Sequence, residues 1–239
     1  MDDYYLLEWD TRFFGYKIAC IKTFGLELAR LNNIIAELRE KNFKLAYCFA
    51  DPADRISNDS FRQVNGYLAD EKVTYSAPIK YENIFPDCSN IIPYDLNYAS
   101  EQLKSLALQS GVYSRFRTDP GFRNNEFEKL YLEWIEKSVN KTLSSEVLIY
   151  KEDKEILGFV SLVIHNNIGA IGLIAVDENQ RGKAIGKKLV NTAFVYFNDR
   201  KINEIEVVTQ KANDMACRFY KSCGFEIKST VNIYHLWIK

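Results

Sequence analysis

Apolar and polar residues alternate in a regular order through the second half of the chain. An apolar run, Ile168–Val176, leads into a loop of small and charged residues, after which apolar positions recur at helical spacing up to Phe197. A second apolar strand pattern covers Ile202–Gln210, a second helical pattern begins at Asn213, and a last strand pattern covers Glu226–Trp237. This order predicts a strand–helix–strand–helix–strand unit.

The N-terminal part of the chain shows a shorter pattern of the same kind. The predicted elements are a strand-rich segment, a helix, a strand, a short helix ending at Gly66 and a strand, over Trp9–Cys20, Leu26–Asn42, Phe43–Ala50, Ser60–Tyr67 and Val73–Ile79. Proline and asparagine interrupt Tyr81–Pro93, which indicates a connection. We therefore expect two domains, over residues 1–95 and 96–239.

Composition narrows the class of protein. The 239 residues are 47% hydrophobic, and 31 Lys and Arg oppose 32 Asp and Glu, so the net charge of −1 argues against a nucleic-acid binder. No apolar signal core opens the chain, and its apolar runs are too short for membrane insertion. Five cysteines without a Cys-x-x-Cys pair favour free thiols in the cytoplasm, and two histidines predict no metal site.

The loop after Ile168–Val176 carries candidate chemistry. A strand that feeds a small-residue loop at a helix N-terminus leaves backbone N–H groups unpaired, and the helix dipole adds partial positive charge. Lys183, Lys187 and Lys188 add formal charge nearby. We therefore expect an anion site, with a pyrophosphate as its ligand.

Two common phosphate loops do not fit this segment. Three residues stand between Gly182 and Gly186 where a Walker A loop has four, and no Gly-x-Gly-x-x-Gly fingerprint is present. The spacing Arg181-x-x-Ala184-x-Gly186 instead resembles the coenzyme A loop of the GNAT N-acetyltransferases, with alanine in place of the middle glycine. We expect that alanine to be tolerated with a negative φ inside the helix.

A second motif is more specific. Asn213-x-x-Ala216-x-x-Phe219-Tyr220-x-x-x-Gly224-Phe225 resembles the second signature of the GNAT family, in the right order after the first. Together the two motifs cover about residues 145–239. The resemblance implies a GNAT fold of the α/β (α+β) class, with a mixed, mostly antiparallel sheet, flanking helices and a smaller N-terminal α/β domain.

The same resemblance implies an enzyme that uses acetyl-CoA without a metal. The backbone of Ile174–Val176 would pair with pantetheine, an N–H of Val176 or Ala175 would face the thioester, and Tyr220 would protonate the departing thiolate. The implied coenzyme-binding residues are Ile174, Ala175, Val176, Arg181, Gly182, Lys183, Ala184, Ile185, Gly186, Lys187, Asn213 and Tyr220.

A short internal echo links the two parts of the chain. The segment from Phe61 to Gly66 and Tyr67 aligns with the segment from Phe219 to Gly224 and Phe225. A degenerate GNAT half at the N-terminus would give this echo. Since Arg62 then stands opposite Tyr220, only the C-terminal half would catalyse.

Three further segments carry a finer resemblance. They begin at Trp9-Asp10, Ser114-Arg115 and Phe127-Glu128, and they are similar to the dTDP-fucosamine acetyltransferase family. That family implies an amino-sugar nucleotide as the partner and acetyl transfer to the 4-amino group of a dTDP-4-amino-4,6-dideoxyhexose. Arg115 and Arg117 would meet its diphosphate, and Phe116 would stack on thymine or sugar.

Several points stay open at this stage. The general base is assigned to Glu71, with His165 or a water chain as alternatives. Other acceptors, such as a peptide, a polyamine or an aminoglycoside, and a non-catalytic acyl-CoA-binding module are rival hypotheses. A homodimer that pairs through an exposed final strand, Glu226–Trp237, is also open.

Overall fold

The computed structural model describes residues 3–22, 24–79 and 89–239. Its elements in chain order are β1 (Tyr4–Leu6), α1 (Glu8–Phe14), β2 (Lys17–Ile21), α2 (Leu28–Glu40), β3 (Phe43–Ala50), α3 (Arg55–Gln63), β4 (Tyr67–Pro78), β5 (Ile91–Pro93), α4 (Glu101–Ser110), α5 (Arg115–Thr118), α6 (Glu126–Val139), β6 (Glu146–Glu152), β7 (Glu155–His165), β8 (Ile168–Val176), α7 (Ile185–Asn198), β9 (Glu204–Gln210), α8 (Asp214–Ser222) and β10 (Glu226–Trp237).

The described strands form one sheet in the order β1-β2-β3-β10-β4-β9-β8-β7-β6-β5. The pairs β2–β3 and β8–β9 are parallel, and the other neighbouring pairs that carry the centre of the sheet are antiparallel. The predicted mixed, mostly antiparallel sheet with flanking helices is therefore confirmed.

Helices cover both faces of this sheet, because successive side chains of a strand point to opposite sides. In β3, Ala46 and Cys48 pack in the cluster that contains α2 and the α3 residue Phe61, whereas Leu45 and Tyr47 pack with α5 and α6. The helices α7 and α8 contribute to a third cluster, and α4 to a fourth. The sheet is thus the middle layer of three.

Most predicted elements are present, and one segment was wrong. The strands Phe43–Ala50 and Glu226–Trp237 have the predicted bounds, and α2 lies inside the predicted helix. The first half of Trp9–Cys20 is instead α1, whose Trp9 and Phe13 rings stack at 5.0 Å one helical turn apart. Of the predicted connection Tyr81–Pro93, residues 81–88 lie outside the described residues, and Ile91–Pro93 forms β5.

The two halves of the chain repeat one topology. The order β2-α2-β3-α3-β4 matches β8-α7-β9-α8-β10, and the first two strands of each set are parallel neighbours. The echo around Gly66 and Gly224 lies at equivalent places, between the second helix and the third strand of each set. The N-terminal part thus repeats the order of elements of the C-terminal part, and its origin as a degenerate GNAT half stays a prediction.

The third strand of each half pairs with the second strand of the other half. β10 lies between β3 and β4, and β4 lies between β10 and β9. The expectation of an exposed final strand that pairs between subunits was therefore wrong, because both edges of β10 are already hydrogen-bonded. The domain division at residue 95 stays a prediction, and it runs through one shared sheet.

Candidate active site

Strands β8 and β9 separate in the middle of the sheet. Their parallel pairing covers Gly169–Ile171 against Ile205–Val207 and then stops, although β8 continues to Val176 and β9 to Gln210. Beyond this point β9 stays with β4, and β8 stays with β7. The separation leaves one edge of Gly172–Val176 without a strand neighbour and opens a groove there.

An irregularity in β8 shapes this groove. The register against β7 shifts between Ile171 and Ile174, and the N–H of Leu173 donates to the Ser161 hydroxyl at 2.7 Å. Further along, the N–H of Asp177 donates to Leu157 on β7. Because N–H directions alternate along a strand, the N–H of Val176 points the other way, into the groove. This favours Val176 over Ala175 as the donor.

The loop at the N-terminus of α7 closes one end of the groove. Helix α7 has no side-chain cap, so its first-turn N–H groups have no such partner. Gly182 has φ 82°, and Ala184 has φ 60°. The expected negative φ at Ala184 was wrong, because this residue is the left-handed N-cap that turns the chain into α7. Glycine is favoured there, and alanine carries strain.

Cationic side chains near this loop point in different directions. Arg181 and Lys187 line the groove, and Arg181 Nε lies 3.4 Å from the Val176 carbonyl. Lys183 donates to Gln180 at 2.6 Å and is not among the lining residues. Lys188 donates to Ser89 and lies over the Tyr150 ring. Formal charge at the groove therefore comes from two of these four side chains.

A cavity of about 560 Å³ occupies the separation, and we call it the groove cavity. Eleven of the twelve predicted coenzyme-binding residues line it, all except Lys183: Ile174, Ala175, Val176, Arg181, Gly182, Ala184, Ile185, Gly186, Lys187, Asn213 and Tyr220. The sequence pattern does not single out Gln109 at the end of α4, which also lines this cavity; its Oε1 is buried and makes no hydrogen bond within the described residues.

Helix α8 supplies Asn213 and Tyr220 to the groove cavity. The Asn213 side chain accepts from the Ala216 N–H at 3.1 Å and so caps the N-terminus of α8. Tyr220 is 4% exposed and packs against Tyr75 and Phe225. Burial, and then the nearby Cys223 and Cys217, raise the pKa of Tyr220 well above its usual range. Its hydroxyl therefore stays protonated at neutral pH.

A second cavity, of about 800 Å³, lies along the same part of β8, and we call it the aromatic cavity. Gly172 and Leu173 line it, while Ile174 and Ala175 line the groove cavity. Its remaining aromatic and charged residues are Trp9, Asp10, Phe49, Asp70, Lys72, Arg115, Phe116, Tyr131, Trp134 and Lys137. The linings of the two cavities thus follow one another along β8, where β8 leaves β9.

Two neighbouring carboxylates on β4 have different surroundings. Glu71, the predicted base, forms an ion pair with Lys211 at 2.7 Å and lines neither cavity. Asp70 lines the aromatic cavity, and burial raises its pKa to about 6, against the charge of Arg115 and a hydrogen bond with Gln210. Asp70 was not predicted as a site residue. The strand alternation could have pointed to it, because the apolar Val73 and Tyr75 mark the face of β4 that packs against α8, and Asp70 lies on the opposite face.

The three predicted acceptor-binding residues do not all come together. Arg115 and Phe116 line the aromatic cavity, with the Arg115 guanidinium 4.4 Å from the Phe116 ring centre. Arg117 is exposed, lies 5.4 Å from the Phe127 ring centre and lines neither cavity. Paired contact of Arg115 and Arg117 with one diphosphate stays a prediction that this arrangement does not favour.

In the N-terminal half, side chains at the start of α3 accept hydrogen bonds from the N–H groups that precede α2. Asp54, the N-cap of α3, accepts from the Gly25 N–H at 3.0 Å, and Ser57 accepts from the Leu26 N–H at 2.9 Å. These N–H groups precede α2 as the loop at Gly182 precedes α7. Within the described part of this segment, the Asp54 carboxylate thus lies where the C-terminal half would bind an anion.

The described residues contain neither a cluster of metal ligands nor a membrane-spanning helix. Among residues 3–22, 24–79 and 89–239, no three His, Cys, Asp or Glu side chains are arranged to hold a metal ion. Over the same ranges, none of the helices combines the length and the apolarity that crossing a bilayer demands.

Comparison with known proteins gives one family. Residues 110–225 match the model of the acetyltransferase (GNAT) family. The dTDP-fucosamine acetyltransferase of Escherichia coli O6:H1 is 26% identical over 226 residues, which are 94% of this chain and 93% of that protein. The spore coat polysaccharide biosynthesis protein SpsD of Bacillus subtilis is 24% identical over 58% of this chain and 47% of its own length.

A solved structure extends the likeness across the fold. The GCN5-related N-acetyltransferase from Sphaerobacter thermophilus superposes with a TM-score of 0.63 and 12% identity, over 99% of this chain and 76% of that one. At this identity the likeness concerns the fold alone. The family match and the named acetyltransferase relative lead to one conclusion. Residues 110–225 form an acetyltransferase domain of the GNAT family, and the chain is an N-acetyltransferase.

Proposed function

We propose that the protein acetylates the 4-amino group of a dTDP-4-amino-4,6-dideoxyhexose, with acetyl-CoA as the donor. The observation that carries the proposal is the position of two cavities at consecutive residues of β8, one against the α7 N-terminus and one with Asp70 and Arg115 among aromatic rings. The name of the Escherichia coli relative supports the acceptor class.

The groove cavity fits acetyl-CoA. The uncapped N-terminus of α7, with Arg181 and Lys187, suits the pyrophosphate. The unpaired edge of Ile174–Val176 suits the amides of the pantetheine arm. Acetyl-CoA supplies an acetyl thioester that an uncharged amine attacks directly, with release of the CoA thiol.

The aromatic cavity fits an amino-sugar nucleotide. Its rings offer stacking surfaces for a base or a sugar, and Arg115 offers a fork of donors to phosphate. Its lining carries two carboxylates, Asp10 and Asp70, against three cations, Lys72, Arg115 and Lys137. A polyamine or an aminoglycoside would favour an excess of carboxylates, so this balance supports an anionic acceptor.

Three groups divide the proton and charge transfers. Asp70 accepts a proton from the acceptor's ammonium group, directly or through water, and so delivers the neutral amine; this role replaces that of Glu71. The Val176 N–H donates to the thioester oxygen as negative charge develops there. The Tyr220 hydroxyl donates its proton to the departing sulfur, and the second proton that the nitrogen loses as the amide forms returns to Tyr220 through water.

The test is thiol release from acetyl-CoA with a panel of acceptors. We expect turnover with a dTDP-4-amino-4,6-dideoxyhexose and little with UDP-linked analogues, peptides, polyamines or aminoglycosides. Turnover with peptides or polyamines alone would keep the enzyme class and overturn the acceptor. Tight CoA binding without any turnover would favour a non-catalytic module.

A further inference from the structure

Two side chains from the two ends of α5 and one from β10 form a continuous hydrogen-bonded row behind the aromatic cavity. Nη1 of Arg115 lies 2.7 Å from Nε2 of His235, and Nδ1 of His235 lies 2.5 Å from Oδ2 of Asp119. His235 is 1% exposed and Asp119 is 2% exposed, whereas Arg115 reaches the cavity lining. The proton and charge transfers described above use neither His235 nor Asp119.

The chemistry of the row fixes the state of His235. A guanidinium has donors only, so Nε2 of His235 must be the acceptor, and the ring proton lies on Nδ1 and is donated to Asp119. Burial lowers the pKa of His235 to about 4, opposed by the hydrogen bond to Asp119 and reinforced by the Arg115 charge. At neutral pH the imidazole is therefore uncharged, in a single tautomer.

Asp119 is itself held at both oxygens. Oδ2 also accepts from Trp237 Nε1 at 3.0 Å, and Oδ1 accepts from the Gly121 N–H at 2.8 Å. Burial acts to raise the pKa of Asp119, but the bonds from His235, Gly121 and Trp237 leave it below its usual value. A Cβ at Gly121 would come within 2.1 Å of the Trp237 ring, so only glycine fits.

Aromatic rings hold the other end of the row. The Arg115 guanidinium lies 4.1 Å from the Tyr47 ring centre and 4.4 Å from that of Phe116. The charges of Asp10 and Asp70 act on the guanidinium from a distance. Within the described residues, neither carboxylate forms an ion pair with Arg115. The donor fork is therefore oriented by His235 and the rings rather than by a carboxylate, and it stays available to a ligand.

We infer that Asp119 and His235 are positioning residues, which hold the Arg115 guanidinium in the orientation that receives the phosphate groups of the acceptor. This inference rests on the proposed function. A row that merely ties α5 to β10 would alter stability alone, whereas a positioning pair also sets the affinity for the acceptor.

Two substitutions at one position separate these roles. In His235→Gln the amide oxygen replaces Nε2 and still accepts from Arg115, whereas in His235→Asn the amide replaces Nδ1 and the Arg115 contact is lost. We expect His235→Asn to raise the KM for the nucleotide sugar about tenfold or more. We expect a smaller rise for His235→Gln, and an unchanged KM for acetyl-CoA in both.

Equal effects of the two substitutions, or an unchanged acceptor KM in a folded His235→Asn protein, would overturn the inference. Wild-type turnover separates this failure from failure of the proposed function, because the latter leaves no nucleotide-sugar activity to compare.

A spectroscopic measurement applies even if both variants misfold. The chain has two histidines, and His165 is exposed, so the wild-type protein labelled with ¹⁵N-histidine gives two separable imidazoles. We expect His235 to carry its proton on Nδ1 at pH 7 and to remain neutral down to about pH 5. A proton on Nε2, or an imidazolium at pH 7, contradicts the row as described, in which Asp119, Arg115 and Tyr47 are the titratable neighbours.

Discussion

Asp70 shows how one side chain's surroundings determine its chemistry. It lies on a strand in the middle of the sheet and faces a cavity rimmed by aromatic rings, where a charged carboxylate is poorly solvated. Its pKa of about 6 lies close to neutral pH, as suits a general base. Glu71 points to the other face and is paired with Lys211 in solvent.

Substitution of Asp70 by Asn should remove the base. We expect a loss of about 10²–10⁴ in kcat/KM, and in the wild type an activity that falls as the pH drops below about 6, because the protonated carboxyl cannot accept a proton. Burial raises the pKa of Asp70 from 3.8 in the unfolded chain to about 6 in the folded protein. The free energy of unfolding therefore decreases as the pH rises from about 4 to 6, and the whole loss is present at pH 7. Asp70→Asn should therefore raise the free energy of unfolding at pH 7, by roughly 1–3 kcal/mol.

Glu71→Gln is the matched control for Asp70→Asn. It removes one carboxylate from the adjacent position, but from an exposed ion pair outside both cavities, so kcat/KM should change little. Steady-state rates over pH 5–9 and urea unfolding measure both effects. A large loss with Glu71→Gln and none with Asp70→Asn would return the role to Glu71.

Tyr220→Phe tests the proton donor. The ring packing against Tyr75 and Phe225 is kept, and only the hydroxyl at the groove cavity is lost. We expect kcat to fall by about 10²–10⁴ with little change in CoA affinity. Tyr75→Phe is the control, because Tyr75 is buried beside Tyr220 and lines neither cavity. Equal losses in the two variants would mean that packing, and not the Tyr220 proton, matters.

At the scale of elements, the anion site depends on a turn that the helix itself does not favour. Ala184 is exposed and holds φ 60° at the start of α7, and Gly182 two residues earlier holds φ 82°. An L-residue in this region carries about 1–2 kcal/mol of strain. The loop keeps its shape because the residues around it pack: Ile185 is buried, and Gly186 lies against Phe219.

Ala184→Gly should therefore stabilise the protein by about 0.5–1 kcal/mol, the relieved strain less the extra freedom of glycine in the unfolded chain. Gly182→Ala is the opposite change in the same loop. Its added Cβ meets no atom within 4 Å, so only backbone strain should act. We expect the free energy of unfolding to fall by about 1 kcal/mol. Urea unfolding curves measure both. Destabilisation by Ala184→Gly would contradict the assigned conformation.

The positions of helices and strands could be predicted from the sequence better than the way in which they pack. Hydrophobic period and motif spacing located β8, α7, α8 and β10, because those patterns arise locally. The φ at Ala184 depends on how loop and helix pack. Whether a carboxylate on β4 lines a cavity depends on the face of the strand that it occupies, which the sequence did not specify, so Glu71 stays a prediction beside the proposed Asp70. The helix at Trp9 was not predicted, because aromatic residues generally favour strands. In the structure, the stacking of Trp9 on Phe13, one helical turn later, accompanies the helix.

At the scale of the whole molecule, the two halves depend on each other through their last strands. β10 is hydrogen-bonded along Asn232–Trp237 to β3 and along Glu226–His235 to β4, and β9 is paired with β4 over seven residues, Glu204–Gln210. Within its own half β9 keeps only the three pairs with β8. The groove that opens between β8 and β9 is therefore held in shape from the N-terminal side.

This dependence predicts that residues 96–239 do not fold alone, although they contain both GNAT motifs. Without β3 and β4, the apolar strand β10 has two open edges and β9 has one, which favours aggregation over a defined sheet. We expect no cooperative thermal transition and no CoA binding from this fragment, measured by circular dichroism and calorimetry. Co-expression with residues 1–95 as a separate chain should restore both, since the break falls outside every strand. A fragment of residues 96–239 that melts cooperatively and binds CoA would instead establish two independent domains divided at residue 95.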